Sequence, residues 1–192
     1  MTTLNSNVKD QPSKGKVFYV IGASGVGKDS LLHYARQQLA KENVVFAHRY
    51  ITRPLELNGE NHIRLSTEEF ANRLQYGCFK FHWHSHDLDY GIGTEVDFWL
   101  NQGLNVVMNG SRGYLETAVE KHPGIIPILI KVDPSLLRER LINRGRETLE
   151  QIESRIQRAE AFDGLTAPNM KIIENNIELS VAGEQLVKLL KN

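Results

Sequence analysis

Gly22–Ala23–Ser24–Gly25–Val26–Gly27–Lys28, followed by Asp29 and Ser30, is the stretch whose reading decides the fold. Its spacing, G-x-x-x-x-G-K, is that of a phosphate-binding loop. The run before it, Lys16 to Ile21, is short and β-rich and predicts a buried strand. The run after it, Ser30 to Ala40, puts Leu31, Leu32, Ala35 and Leu39 on one helical face. In a strand–loop–helix setting, glycines let successive backbone N–H groups turn inward around phosphate oxygens, and the helix adds the positive end of its dipole. Lys28 is then placed to reach the β- and γ-phosphates of a nucleoside triphosphate. A glycine-rich turn without a ligand is the plainer alternative, and the lysine and both flanking elements argue against it. The next position usually carries Ser or Thr, whose hydroxyl binds Mg²⁺. Here it is Asp29, with Ser30 one place later.

Outward from the loop, strands and helices alternate. Val44–Ala47 predicts a second strand, Leu104–Met108 a third, Ile125–Val132 a fourth and Met170–Ile173 a last. Helices are predicted over Thr94–Gln102, Gly113–Lys121, Pro134–Asn143 with Pro134 as its first residue, Thr148–Phe162 and Ile177–Leu190. Arg49–Gly93 is polar and shows one clear helix, with Ser66 as N-cap and Glu69 reaching back to complete a capping box. The pattern predicts an α/β fold with a parallel sheet covered on both faces. Residues 1–15 read as a flexible extension and 16–192 as a single domain. Regions 49–93 and 144–162 read as insertions at the ligand edge of the sheet, for substrate binding and as a lid.

Composition narrows the partners. The chain has 192 residues, 41% of them apolar, enough for a core. Lys+Arg and Asp+Glu both number 23, so no global field attracts nucleic acid, and any anion site must come from local clustering. Cys78 is the sole cysteine, which excludes an intrachain disulfide and a Cys-rich zinc site and suits a reducing, cytoplasmic setting. No run has the length of a membrane span, and the polar start has no signal-peptide core. A second copy of the chain, in a homodimer, is the one protein partner left open.

From the loop onward the order of motifs resembles the guanylate-kinase superfamily of P-loop kinases. Ile51-Thr52-Arg53, Gly59-Glu60, Ser66 to Phe70, His82-Trp83, Tyr90-Gly91 and the arginines Arg140, Arg144, Arg146 and Arg155 stand in that order, and Asn175-Asn176 resembles the adenine-side loop. The departures point to a narrower group. Arg49 and His82 occupy positions where guanylate kinases place a serine and a glutamate that read guanine, and neither can act as that carboxylate acceptor. Glu56 replaces a second arginine, and Asn109-Gly110-Ser111-Arg112 replaces an acidic strand end. Gly27–Ser30, His48–Arg53, Glu60–Ile63, Tyr90–Gly93, Asn109–Arg112 and Asn143–Glu147 are similar instead to the ribose 1,5-bisphosphate phosphokinases of phosphonate degradation. That resemblance implies ATP and Mg²⁺ as cofactors and a phosphorylated sugar as acceptor, with 5-phosphoribosyl 1-diphosphate and ADP as products.

Phosphoryl transfer needs positioning and charge neutralisation more than covalent help. The loop, Gly22 to Ser30, with Arg140, Arg146 and Asn175, is the candidate ATP site. Lys28, Asp29, Arg144 and Arg155 are the candidate catalytic groups, the arginines closing as a lid. Arg49, Tyr50, Arg53, Glu60, His82, Tyr90, Asn109, Ser111 and Arg112 are the candidate acceptor site, because planar guanidinium binds phosphate bidentately. Asp29 and Ser30 are the candidate Mg²⁺ residues, Asp29 supplying the carboxylate missing at Asn109–Arg112. Against these stand plainer readings: solvated or i,i+4-paired arginines on a charged helix, and a helix N-terminal aspartate that only favours the dipole. His82, His84 and His86 alternate as strand neighbours on one face, but the orienting partners of a metal centre are not displayed, and Trp83 reads as core. The competing functions are a nucleoside monophosphate kinase, guanylate kinase first, and a non-catalytic binding module of the same fold.

Overall fold

The structure, a computed structural model, describes residues 14–53, 62–145 and 147–192. Strand β1 (Val17–Gly22) is the middle strand of a five-stranded sheet. Val17, Tyr19 and Ile21 enter one core cluster, and Phe18 and Val20 enter another on the opposite face. Burial on both faces is why β1 is a continuous apolar run and not an alternation. β2 (Val44–Phe46), β7 (Asn105–Asn109), β8 (Ile125–Lys131) and β9 (Lys171–Glu174) complete the sheet in the order β2-β7-β1-β8-β9, with every pairing parallel.

On one face, α1 (Lys28–Gln38), α5 (Pro134–Arg144), α6 (Leu149–Glu160) and α7 (Leu179–Lys191) bring Leu31, Leu137, Ile152 and Leu186 against Phe18 and Val20. On the other, α3 (Glu95–Asn101) and α4 (Leu115–Lys121) bring Val96, Leu100, Leu115 and Ala118 against Tyr19 and Ile21. A second sheet leans on this side. It comprises β3 (Arg49–Ile51), β4 (His62–Arg64), β5 (Phe79–Ser85) and β6 (Leu88–Gly93) in the order β4-β3-β6-β5. Phe81, Trp83 and Ile92 on its inner face join the Tyr19 cluster. Its outer face packs on α2 (Thr67–Gln75), with Phe70 stacked on Phe79 at 4.6 Å. Among the described residues no helix is long and apolar enough to cross a membrane.

The predicted α/β order holds, with the five parallel strands where the sequence places them to within a residue or two. Four details differ. Among its described residues the polar stretch 49–93 holds four strands beside one helix. The segment predicted as a helix from Gly113 opens with a 3₁₀ turn, Arg112–Tyr114, before α4. Ser66 does cap α2, accepting from Glu69 N at 3.1 Å, but the Glu69 carboxylate turns forward to Arg73 Nε at 2.7 Å. A complete capping box stands at Thr148 and Gln151 instead. His86 falls outside β5, at a turn residue with φ of 51°, so it does not share a strand face with His82 and His84.

One buried polar bond fixes the end of β7 against β1. The Tyr19 hydroxyl accepts from Ser111 N at 2.9 Å and lies 3.2 Å from Ser111 O, to which it donates. Burial raises its pKa, so it stays protonated as a donor. Tyr19→Phe strands both backbone groups, and unfolding free energy is expected to fall by about 1–3 kcal/mol. Urea titration followed by circular dichroism measures this, and an unchanged midpoint would mean that water replaces the hydroxyl.

Candidate active site

The site is built where β1 and β7 end. β1 gives way to the loop at Gly22, and α1 begins at Lys28 after Gly27, whose φ of 85° is a left-handed conformation that favours glycine. Parallel pairing sets Val20 opposite Asn109, which carries the Asn109 side chain to the start of α1. Lys28 Nζ donates to Asn109 Oδ1 at 2.6 Å, and Asn109 Nδ2 donates to Asp29 Oδ1 at 3.2 Å. Lys28 Nζ and Asp29 Oδ1 are 3.6 Å apart. Asn109 is only 7% exposed, whereas the Asp29 side chain is 67% exposed and open to a ligand.

Helix α6 reaches the same place. Gly145, with φ of 65°, ends α5 in a left-handed cap, and α6 follows after the Thr148 capping box. From α6, Arg155 Nη1 donates to Ser24 Oγ at 2.5 Å, and Arg155 Nη2 is 2.9 Å from Glu147 Oε1. A cleft of about 540 Å³ opens beside Arg155, Arg158 and Glu147. Arg140 on α5 donates to the Asn175 carbonyl at 2.8 Å, and Asn175 Nδ2 donates to the Val26 carbonyl at 2.8 Å. Arg144 is the exposed last residue of α5.

Arg112 stands beside the end of α6. Its guanidinium lies 4.4 Å from the centre of the Phe162 ring, and Nη1 donates to the Ala159 carbonyl at 3.3 Å. Burial lowers its pKa and nearby Asp163 opposes the shift. Ser111 is held by its backbone to Tyr19, and with Arg112 it forms the turn that leaves β7.

The small sheet presents a second cationic group. The Arg49 guanidinium lies 5.3 Å from the Tyr90 ring centre, and Tyr90 stacks on Trp83 at 5.4 Å with the planes 2° apart. Trp83 stacks in turn on Tyr114 at 5.6 Å and is buried, as the sequence predicts. Tyr50 and His82 both pair with Gly91, whereas Trp83 pairs with Tyr90. Paired residues share a face and neighbours alternate, so Tyr50 and His82 lie on the face opposite Arg49 and Tyr90. Tyr50 donates to Glu95 Oε1 at 3.4 Å, and burial followed by Glu95 raises its pKa. Burial, then Lys121, lowers the pKa of His82 and keeps its ring neutral near pH 7. The structure therefore joins Arg49 to Tyr90 but does not bring Tyr50 or His82 to them. Arg53 lies just beyond β3, where its carbonyl is 3.4 Å from His62 Nε2. Glu60 and Arg146 lie outside the described residues, as do residues 1–13 and Glu56.

Among the described residues no three His, Cys, Asp or Glu side chains stand together as a metal centre. His84 Nδ1 pairs with Asp89 Oδ1 at 2.8 Å across the hairpin. The oxygen donors at the loop fit Mg²⁺ better, because that ion takes one or two carboxylates and completes its shell with phosphate and water.

No protein-family model matches the chain. The ribose 1,5-bisphosphate phosphokinase PhnN of Psychromonas ingrahamii is 78% identical over 188 residues, which cover 98% of this chain and 96% of that protein. The chain belongs to the ribose 1,5-bisphosphate phosphokinase family. The corresponding protein of Thiobacillus denitrificans is 55% identical over 181 residues, 94% of this chain and 95% of its own. A crystal structure of guanylate kinase from Anaplasma phagocytophilum superposes with a TM-score of 0.67 at 18% identity, covering 94% of this chain and 86% of that one. That likeness shows the fold.

Sequence reading missed three side chains that shape the site. Glu147 pairs with Arg155. Arg158 Nη1 donates to His86 Nε2 at 3.3 Å, joining α6 to the β5–β6 turn. Tyr114 extends the Trp83 stack. The i,i+3 spacing of Arg155 and Arg158 was the one available signal for a shared helix face; Glu147 meets Arg155 across the start of α6 and Tyr114 meets Trp83 from a distant part of the chain, and neither left one.

Proposed function

We propose that this chain transfers the γ-phosphoryl group of ATP to ribose 1,5-bisphosphate, giving 5-phosphoribosyl 1-diphosphate and ADP. The observation that carries the reading is the 78% identity over nearly the whole chain to a protein of that name. The cationic groups at the loop and on the small sheet supply what such a transfer needs. An oxygen of the sugar's C1 phosphate attacks the γ-phosphorus. The bond from that phosphorus to the bridging oxygen breaks, and ADP leaves with the electron pair. A phosphate monoester has its second pKa near ~6, so at neutral pH the acceptor oxygen needs no general base.

Residues 16–192 act as one kinase domain. Lys28 and the loop amides hold the triphosphate, and Arg140, Arg144 and Arg155 close over it and exclude water. Arg49, aligned on Tyr90, and Arg53 take the phosphates of the sugar, their planar forks matching phosphate geometry. Arg112 supports the lid through Ala159 and Phe162. Mg²⁺, when bound, would offset charge on the β- and γ-phosphates; Asp29 and Ser30 are the residues that would hold it. The cytoplasm, which supplies ATP, is the setting for the reaction, and a homodimer is the assembly to look for.

Guanylate kinase activity is the alternative, and His82 offers guanine no carboxylate and lies on the face opposite Arg49 and Tyr90. With ATP and Mg²⁺, the purified protein is expected to form ADP at the expense of ribose 1,5-bisphosphate and not of GMP, as resolved by nucleotide chromatography. ADP formed with GMP alone would reject the reading, and absence of both turnover and ATP binding would favour a binding module. Asp29→Ser is expected to raise the Mg²⁺ concentration for half-maximal rate by about tenfold, the effect of losing roughly 1.4 kcal/mol. An unchanged Mg²⁺ titration and turnover would leave Asp29 a dipole-favouring residue only.

A further inference from the structure

Asn175 lies immediately beyond β9 and is 2% exposed. Its backbone and side chain reach three separate elements. Asn175 N donates to the Lys131 carbonyl at the end of β8 at 2.8 Å. Its own carbonyl accepts from Arg140 Nη2 on α5 at 2.8 Å. Its side-chain Nδ2 donates to the Val26 carbonyl inside the phosphate loop at 2.8 Å. The fit is close: a Cβ on Gly27 would stand 2.5 Å from that same Nδ2 and 4.0 Å from Arg140 Nη1. Arg140 Nη1 is buried and has no hydrogen-bond partner among the described residues.

The peptide joining Val26 to Gly27 is trans, since the described chain holds no cis bond. A trans peptide points its carbonyl and its N–H in opposite directions. Drawing the Val26 carbonyl toward Asn175 therefore turns the Gly27 N–H away from Asn175. Gly27 has no Cβ to prevent its peptide from rotating, and its positive φ is one that glycine enters and leaves cheaply. The orientation of this amide is therefore set from outside the loop.

We propose that Asn175 is a positioning residue for the triphosphate: it holds the Val26–Gly27 peptide with its N–H toward the phosphates and keeps Arg140, with its spare donor, beside the same glycine. It acts on the phosphate chain and not on the adenine ring. This rests on the reading of Gly22–Lys28 as the ATP site.

Inorganic tripolyphosphate, which has no base, separates the two roles. Binding of tripolyphosphate and of ATP to the full-length protein is measured by titration calorimetry for wild type and Asn175→Asp. The aspartate keeps the shape, loses the donor and sets a carboxylate against the Val26 carbonyl. Both ligands are expected to bind about tenfold more weakly, by the same factor, as expected for a lost buried hydrogen bond. KM for ribose 1,5-bisphosphate is expected to stay unchanged while KM for ATP rises. Tripolyphosphate binding that is unaltered in the variant, whether or not ATP binding falls, would overturn the proposal.

Should the variant not fold, wild type decides by NMR. The Asn175 side-chain amide protons are expected to remain protected from exchange, and unshifted, when adenosine is added, while the Gly27 amide shifts with tripolyphosphate. An Asn175 side chain that responds to adenosine would overturn the proposal. Wild-type protein that binds neither ATP nor tripolyphosphate would overturn the reading of the loop itself, and this inference with it.

Discussion

A neutral amide between a cation and an anion organises the mouth of the phosphate loop. Asn109 accepts from Lys28 through Oδ1 and donates to Asp29 through Nδ2. Only a side chain with both an acceptor and a donor can do this at one position. A carboxylate there would hold Lys28 more strongly and repel Asp29, with both charges partly out of water. The amide leaves Lys28 in place and Asp29 open to solvent. In the proposed reaction it is Asp29, on the first turn of α1, that presents the carboxylate, so the acidic group has moved from the end of a strand to the start of a helix. This arrangement depends on the parallel register of β1 and β7, which fixes Asn109 opposite Val20, and on Tyr19, which ties down the turn that follows.

Magnitudes decide what holds α6. Arg155 and Arg158 make exposed contacts with Ser24 and His86, and contacts of that kind contribute between zero and about 1 kcal/mol each; the Arg155–Glu147 pair is more enclosed, the Glu147 side chain being 10% exposed. The opposite face of α6 buries Ile152 and Ile156 in the cluster around Phe18 and Val20. Exposing either costs about 1.5–3 kcal/mol. The apolar face therefore docks α6; Arg158 can leave its exposed protein partner at little cost, whereas Arg155 would leave the Glu147 carboxylate unpaired. Arg112 belongs with the docking side, stacked on Phe162 where α6 gives way to the chain returning toward β9.

The central sheet was legible because each of its strands carries a consistent local signal. β1 and β8 are unbroken apolar runs next to turn-forming residues, and Pro134 and Gly145 mark both ends of α5. The small sheet was not legible. β3 and β4 have three residues each, too few for a period of two to show, and they alternate polar residues with single apolar ones. The Ser66 cap was readable, but the destination of Glu69 was not, since Arg73 competes for it one turn later. The T-x-x-Q of Thr148 to Gln151 was a readable capping box that went unread. In the site, the phosphate loop, its lysine and the odd Asp29 were plain in the sequence. The distribution of Arg49, Tyr50, His82 and Tyr90 between two faces was not, because strand register is set by pairing partners distant in sequence. Arg49 and Tyr90 are separated by some forty residues and meet only across β3 and β6, where Trp83 and Tyr114 fix the plane of the stack beneath the guanidinium.

The proposed acceptor is an existing phosphate and not a hydroxyl, and phosphorus NMR reads that difference directly. The full-length protein is given ATP, Mg²⁺ and ribose 1,5-bisphosphate, and the spectrum is followed as the γ-signal of ATP declines. The predicted result is, beside the two coupled resonances of ADP that any cleavage of ATP gives, a second pair of new resonances, each split by coupling to the other, as a diphosphate on the sugar requires. A γ-signal that passes only into inorganic phosphate, or into an uncoupled phosphate ester, would contradict it.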